Sequence, residues 1–416
     1  MRIPRFGWAP LALVLALGIG APGVTAGQTP QRIVLLIGDG VGVGYWSALV
    51  FAADNLAVQQ FKVVGLVDTR ASNSKVTDSA AAGTAFASGI RTYNGAIGVG
   101  PDTLAVQTVL EAAQDRGMAT GLVATCRITH ATPAAFAAHV PSRAMEFVIA
   151  EQIFEHEVDV VMGGGRAYFD ATRRPDQRDL LASISEQYTY VETADQLRSL
   201  DTKNVHKLFG LFAPDHMPAA PRREPTLPEM TRVALEVLDQ DPDGFFLMVE
   251  GSQPDWRGHE NAPLDEVVAE MRDFDLAISE ALRYQQRHPE TLLLVLADHE
   301  TGGLSIQLQQ DSVALAQAAA QLVTTERIVR DPGVTIDSST AALADSTGIL
   351  MTRLAHELRQ GARDHGDSVS LVTHYTTGGH TAQMTPLFAK GPGAERFGGM
   401  IDNYRVGQLL FEMLRR

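Results

Sequence analysis

The stretch R-I-V-L-L-I-G-D-G-V-G, residues 32–42, decides the fold class. A continuous β-branched and aliphatic run without polar alternation predicts a strand buried on both faces, and the glycine-rich turn after it presents Asp39 at the strand's C-terminal end. The same grammar recurs. Apolar runs lie at 120–125 and at 158–162, the latter ahead of Gly163-Gly164-Gly165; 245–249 leads into Glu250-Gly251, and 292–296 leads towards Asp298-His299. Helical patterns at 103–116, 143–155, 229–238 and 264–283 separate these runs. Strand and helix alternating over most of a chain predict an α/β fold, a large mostly parallel central sheet with helices on both faces. Ligands of such sheets gather outside the strands' carboxyl ends, where these acids fall.

The 416 residues, 45% of them hydrophobic, suffice for a sizeable core, and a formal charge of -15 with no basic run excludes a nucleic-acid-binding surface. Arg2 and Arg5 precede an apolar run from Trp8 to Ile19, and Val24-Thr25-Ala26 suits signal-peptidase cleavage before Gly27. The expectation is a signal peptide over 1–26, a single catalytic domain over 27–416, and a periplasmic or secreted location. The apolar run is short of the roughly 20 residues of a bilayer span, so no membrane span is expected after cleavage. Cys126 is the only cysteine, which rules out an internal disulfide, and it reads as a small core residue. Residues 304–373 break the rhythm with helix-favouring runs at 313–322 and 339–360, and read as a helical, crown-like insertion over the site. A strand at 387–389 and a C-terminal amphipathic helix with Val406, Leu409, Leu410, Met413 and Leu414 on one face close the chain. The polar stretches 173–178 and 219–228 read as solvated surface loops.

Working outward to the chemistry, T-D-S-A-A-A-G-T-A-F-A-S-G, residues 77–89, puts Asp78 and Ser79 at a helix N-terminus, where free backbone N–H groups collect an anion. Small residues behind them allow close packing. On its own this stretch also describes a capped, alanine-rich helix whose serine bonds its own backbone. Asp39, Glu250, Asp255, His259, Asp298, His299 and His380 are candidate metal ligands at strand ends or in glycine-rich loops. Asp255-x-x-x-His259 is a workable chelating pair for zinc, which takes nitrogen and oxygen donors, and Asp298-His299 has no hydrophobic role to explain it.

The ordered motifs I-G-D-G, T-D-S-A, H-A-T-P-A-A-F-A-A-H-V-P-S-R, E-G-S-Q-P-D-x3-H, A-D-H-E-T-G-G and G-G-H-T resemble the alkaline phosphatase family across essentially the whole mature chain. The resemblance implies a homodimeric phosphomonoesterase acting on small-molecule phosphate monoesters. Asp39, Asp298 and His299 are then expected to bind one zinc; Asp255, His259 and His380 a second; and Asp39, Thr132 and Glu250 a magnesium. Ser79 is the implied nucleophile, passing through a covalent phosphoserine, and Arg143 the phosphate clamp, its planar fork matched to two phosphoryl oxygens. His380 is preferred to His374 as a ligand because it lies in G-G-H-T; His139 reads as a structural core or helix-end histidine. Enterobacterial members carry an acid where this chain has His130 and a lysine where it has Trp256, both expected beside the substrate. Loss of that acid leaves the third metal open between magnesium, zinc and cobalt. The other readings are a phosphodiesterase, sulfatase or phosphomutase of the wider two-metal superfamily, and a secreted phosphate- or metal-binding protein without turnover.

Overall fold

The strand expected at 32–37 is β1 (Arg32–Gly38) of the computed structural model, which describes residues 30–308 and 371–415. After it come β2 (Val63–Asp68), β3 (Ala119–Arg127), β4 (Val160–Gly164), β5 (Thr189–Val191), β6 (Leu208–Leu211), β7 (Phe245–Gly251) and β8 (Thr291–Leu296). Short strands β9 (Glu300–Thr301), β10 (Ser305–Leu308), β11 (Leu371–His374) and β12 (His380–Thr381) lie outside the main sheet, and β13 (Thr385–Lys390) and β14 (Gly399–Asp402) return to it. The ten-stranded order is β14-β2-β13-β8-β1-β7-β3-β4-β6-β5. Only β13 runs against its neighbours, antiparallel to both β2 and β8.

The apolar continuity of β1 has the consequence expected of it. Ile33, Leu35 and Ile37 join one hydrophobic cluster while Val34 and Leu36 join another, so the strand is buried on both sides. The first cluster is covered by the helices Ser79–Ser88, Val109–Gln114, Ala131–Ala137, Glu146–Glu155 and Asn403–Leu414. The second lies under Val43–Ala52, Leu227–Leu238 and Leu264–Arg287. Each fully buried aliphatic side chain contributes about 1.5–3 kcal/mol, which makes this strand a rigid mount for whatever follows it. All ten residues of Ser79–Ser88 are buried, and their small size explains how: a Cβ on Gly83 would stand 3.1 Å from that of Ala135 in the neighbouring helix.

Several expectations are corrected. The helix foreseen over 103–116 forms only at Val109–Gln114, because Thr103 takes φ 65° and Val99 bridges Ala105, while Thr108 caps the helix in a box with Glu111. Arg143 does not begin a helix. Its backbone N–H donates to Gly95 O at 2.8 Å, and the helix starts at Glu146. The stretches 173–178 and 219–228 are not simply solvated. Arg223 is 2% exposed and donates to Asp273 at 2.5 Å and Glu270 at 2.8 Å, and the Arg174 guanidinium bonds the carbonyls of Phe147 and Tyr168. The edges of the 304–373 segment pair as an antiparallel ribbon, Ser305 opposite His374. Its helix-favouring runs at 313–322 and 339–360, and the signal peptide at 1–26, lie outside the described residues. Among the described residues no helix is long and apolar enough to cross a membrane.

Candidate active site

β8, β1, β7 and β3 are consecutive in the sheet and end together, so their carboxyl ends bring distant parts of the chain to one place. Ile37 is level with Glu250, and Ala124 with Glu250 from the other side. Asp39 is held there by its backbone N–H on Gly251 O at 3.0 Å. Gly40 takes φ +72° and donates its N–H to Asp298 Oδ1 at 3.0 Å, while a Cβ on it would stand 2.7 Å from Asp255 Cα. Only glycine lets the turn after β1 pass between two acids.

Asp39, Asp298 and His299 form a fully buried group. His299 Nε2 lies 3.2 Å from Asp298 Oδ2, 3.5 Å from Asp39 Oδ1 and 3.2 Å from Ser79 Oγ. Asp255, His259 and His380 form a second group at the mouth. Here His259 Nε2 is 3.4 Å from Asp255 Oδ1 and 3.2 Å from His380 Nε2, which is itself 3.5 Å from Asp255 Oδ1. Each ring's other nitrogen faces a carbonyl, Gly378 O for His259 at 2.8 Å and Thr77 O for His380 at 2.9 Å. A carbonyl only accepts, so both Nδ1 atoms carry the proton and two Nε2 lone pairs point at one another beside a carboxylate. That arrangement calls for a cation between them. The two groups abut through the stacked rings of His299 and His380, 3.6 Å apart.

The buried oxygens give the same message. Both Asp39 oxygens, Asp298 Oδ2, Glu250 Oε1 and Thr132 Oγ1 are buried without a hydrogen-bond partner. Natural interiors rarely tolerate this, because each unpaired buried polar atom costs about 1–3 kcal/mol. Burial, and then the carboxylates of Asp298, Asp255 and Glu250, push Asp39 well above its ordinary range. Burial likewise raises Glu250 to about 7. Burial works upward on Asp255 too, but the surrounding imidazoles, His259 first, hold it below the usual carboxylate range, and its hydrogen bond lifts His259 to about 9. Without a metal, protons occupy the places where positive charge is wanted. The mixed imidazole–carboxylate groups suit zinc, and the oxygen-only set of Asp39, Thr132 and Glu250 suits magnesium.

Ser79 is the first residue of its helix, 2% exposed, and Asp78 caps it by accepting from Ala81 N at 3.0 Å. The Asp78 carboxylate also takes the backbone N–H of Gly95 and the Arg143 Nη1 at 3.1 Å. The second fork nitrogen of Arg143 donates to His130 Nε2 at 3.0 Å, and burial, followed by Arg143 itself, keeps His130 neutral by lowering it well below the histidine range. The expected residues therefore converge, Trp256 and His130 included, while His374 stands exposed in β11.

Sequence reasoning missed four neighbours. His216 packs edge-on against Trp256 at 4.4 Å and against His130 at 5.5 Å, and no periodicity or motif marks it. Thr301 donates to Asp255 and lies 3.2 Å from His299 Nδ1, a role its place in A-D-H-E-T-G-G could have suggested. Asp78 was read only as a cap. Cys126 is buried as expected but donates its thiol to Glu250 Oε2 at 3.2 Å, beside Ser252 Oγ at 2.8 Å.

Comparison with known proteins adds an independent line. The family model described as alkaline phosphatase matches residues 31–416. Alkaline phosphatase 3 of Bacillus subtilis is 36% identical over 92% of this chain and 89% of its own. The structure of the alkaline phosphatase from the Antarctic bacterium TAB5 superposes with a TM-score of 0.76 at 33% identity, covering 93% of this chain and 99% of that one. A histidine-to-aspartate mutant of the TAB5 enzyme, described with magnesium bound in its M3 site, matches at 34% identity and a TM-score of 0.75 over 93% and 98% of the two chains.

Proposed function

Because the chain belongs to the alkaline phosphatase family, and is a metal-binding hydrolase of phosphate monoesters, we propose that it works through Ser79 as nucleophile within three cation sites. Asp39, Asp298 and His299 hold one zinc, Asp255, His259 and His380 the other, and Asp39, Thr132 and Glu250 a magnesium. The observation that carries this reading is that oxygens of Asp39, Asp298, Glu250 and Thr132 are buried without a hydrogen-bond partner. When bound, the metals supply the positive charge that lowers the pKa of a hydroxyl or water and stabilises the entering and leaving oxygens of phosphoryl transfer.

The chain's own residues do the rest. Ser79 Oγ passes its proton to solvent and attacks phosphorus; the bond to the substrate's alkoxy oxygen breaks, that oxygen leaves with the electron pair and takes up a proton from solvent to give the alcohol, and phosphoserine forms. Water then attacks the same phosphorus, the serine oxygen departs and regains a proton, and inorganic phosphate is released. Arg143 grips two phosphoryl oxygens with its fork, aimed by Asp78 and His130, and the free N–H groups at the helix start add their partial charge. Trp256 brings no charge to the clamp, so phosphate is held without a second side-chain cation and leaves more readily. The leader pattern of Arg2, Arg5 and the apolar run from Trp8 to Ile19 supports export to the periplasm or beyond, and the enzyme is proposed to act there as a homodimer.

Metal-loaded Ser79→Ala is expected to lose about 10³-fold or more of its turnover on an aryl phosphate monoester. Acid-quenched wild-type protein, incubated with inorganic phosphate, should show a phosphopeptide at Ser79 by mass spectrometry. Wild-type turnover in the alanine variant would overturn the assignment.

A further inference from the structure

Among the described residues, a third set of metal-capable side chains lies outside the catalytic centre: Glu111, His139 and His156, each offering one atom within 4.8 Å of the others. They come from three different places, the Val109–Gln114 helix, the segment just after Ala131–Ala137, and the residue capping Glu146–Glu155. Glu111 Oε1 is 2.9 Å from His139 Nε2 and 3.6 Å from His156 Nδ1, and the two rings stand 5.7 Å apart at 40°. Nothing in phosphoryl transfer uses them.

His139 and Glu111 are braced through their side chains, and His156 through its backbone. His139 Nδ1 faces Gly98 O at 2.6 Å, so that nitrogen carries the proton and Nε2 is the one offered. The His139 backbone is pinned by Gln152 Oε1 at 2.7 Å. Glu111 ties its other oxygen to Thr108 N at 2.7 Å, and the His156 carbonyl takes Gln114 Nε2 at 2.8 Å. The three line an open groove with Gln114 and Asp115, so a hydrated ion can enter and water can complete its shell.

We propose that Glu111 Oε1, His139 Nε2 and His156 Nδ1 bind a divalent transition-metal ion, zinc by donor type, additional to those of the catalytic centre. Two imidazoles and a carboxylate with water in the remaining position is a set that zinc accepts in tetrahedral geometry. The ion ties the Val109–Gln114 helix to the residues that follow Ala131–Ala137, which carries Thr132 at its start, and Glu146–Glu155, which Arg143 precedes by three residues. It is a brace placed behind the clamp.

The test is equilibrium dialysis of the full-length protein against zinc at a fixed free concentration, followed by elemental analysis, for wild type, His156→Ala and His139→Gln. Wild type is expected to hold one more zinc per chain than either variant, and excess zinc to raise the Tm of wild type by more than that of either variant, whose catalytic sites still bind zinc. Cobalt titration gives a second readout, with one fewer set of visible absorption bands in the variants. Both variants should retain Ser79-dependent turnover, so the lost ion cannot be assigned to the catalytic centre. If His139→Gln fails to fold, His156→Ala, half-buried at a helix end, carries the test. Equal zinc content in wild type and His156→Ala overturns the proposal, whatever becomes of the catalytic assignment.

Discussion

Two regions of this molecule bury several charges, and they settle them in opposite ways. Around Arg223 the chain supplies its own cation. One guanidinium meets Glu270 and Asp273, and those carboxylates also accept the backbone N–H groups of Ala220 and Leu227. At the strand ends, four carboxylates, Asp39, Glu250, Asp255 and Asp298, are buried, and among the described residues none of them pairs with lysine or arginine. The first region meets its buried carboxylates with a cation of its own, although Arg223 Nε is left without a hydrogen-bond partner; the second is a set of ligands waiting for charge from outside. Burial alone therefore does not mark a functional site, but burial without internal compensation does.

The largest effect that can break this contrast is removal of the metals. A chelator should take turnover to background, with recovery on adding zinc and magnesium. It should also expose a pH dependence peculiar to the strand-end cluster. The unfolded chain releases the His259 proton near 6.5 and the folded, stripped chain near 9. That pairing stabilises fully below about 6.5 and is lost as pH climbs through 9. Glu250 acts in the same direction lower down, ionising near 4.5 when unfolded and about 7 when folded. Stripped protein should thus melt at progressively lower temperature from pH 6.5 to 9, while the metal-loaded protein, freed of proton competitors as pH rises, should not. A stripped protein with a flat profile would mean the cluster does not need external cations.

Next in size is the self-sufficient region. Arg223→Met leaves two buried carboxylates without a cation and should cost about 3–5 kcal/mol in denaturant unfolding, with turnover per folded molecule unchanged. Replacing all three, Arg223→Met with Glu270→Leu and Asp273→Leu, should recover most of that loss, since a buried ion set is often no better than an apolar one. If the single variant instead loses turnover while staying folded, the two regions are coupled and the contrast fails.

How far each region could be read from the sequence follows the same division. β1 was legible because a both-faces-buried strand has a run of its own, and the acids at its end and at those of β7 and β8 followed from the rule for parallel sheets. The antiparallel insertion of β13 between β2 and β8 was not, because strand order depends on pairings between residues hundreds of positions apart. Arg223 hid in a polar, proline-containing loop whose partners lie 47 and 50 residues away. A signal did exist: Glu270 and Asp273 fall on the buried stripe of Val267, Met271 and Phe274, where carboxylates need a reason to be. His216 had none, since its contacts, the rings of Trp256 and His130 and the Arg127 backbone N–H that its Nδ1 accepts at 3.1 Å, all come from distant parts of the chain.

The smallest change asks what happens when the active site is made to resemble the Arg223 region. His130 is a neutral acceptor for Arg143, two residues before Thr132 at the same helix start, and its Nδ1 is buried without a partner. His130→Asp gives Arg143 a second carboxylate alongside Asp78 and adds a negative charge next to the oxygen-only site. Magnesium should then bind about tenfold more tightly, equivalent to about 1.4 kcal/mol, measured as the half-saturating concentration for activation and by calorimetry. Part of the Arg143 charge becomes internally compensated, so inhibition by inorganic phosphate should shift as well. A change in magnesium affinity with unchanged phosphate inhibition would separate the third site from the clamp. No change in either would mean that the unpaired Nδ1 faces neither, and that the histidine serves only to pack against His216.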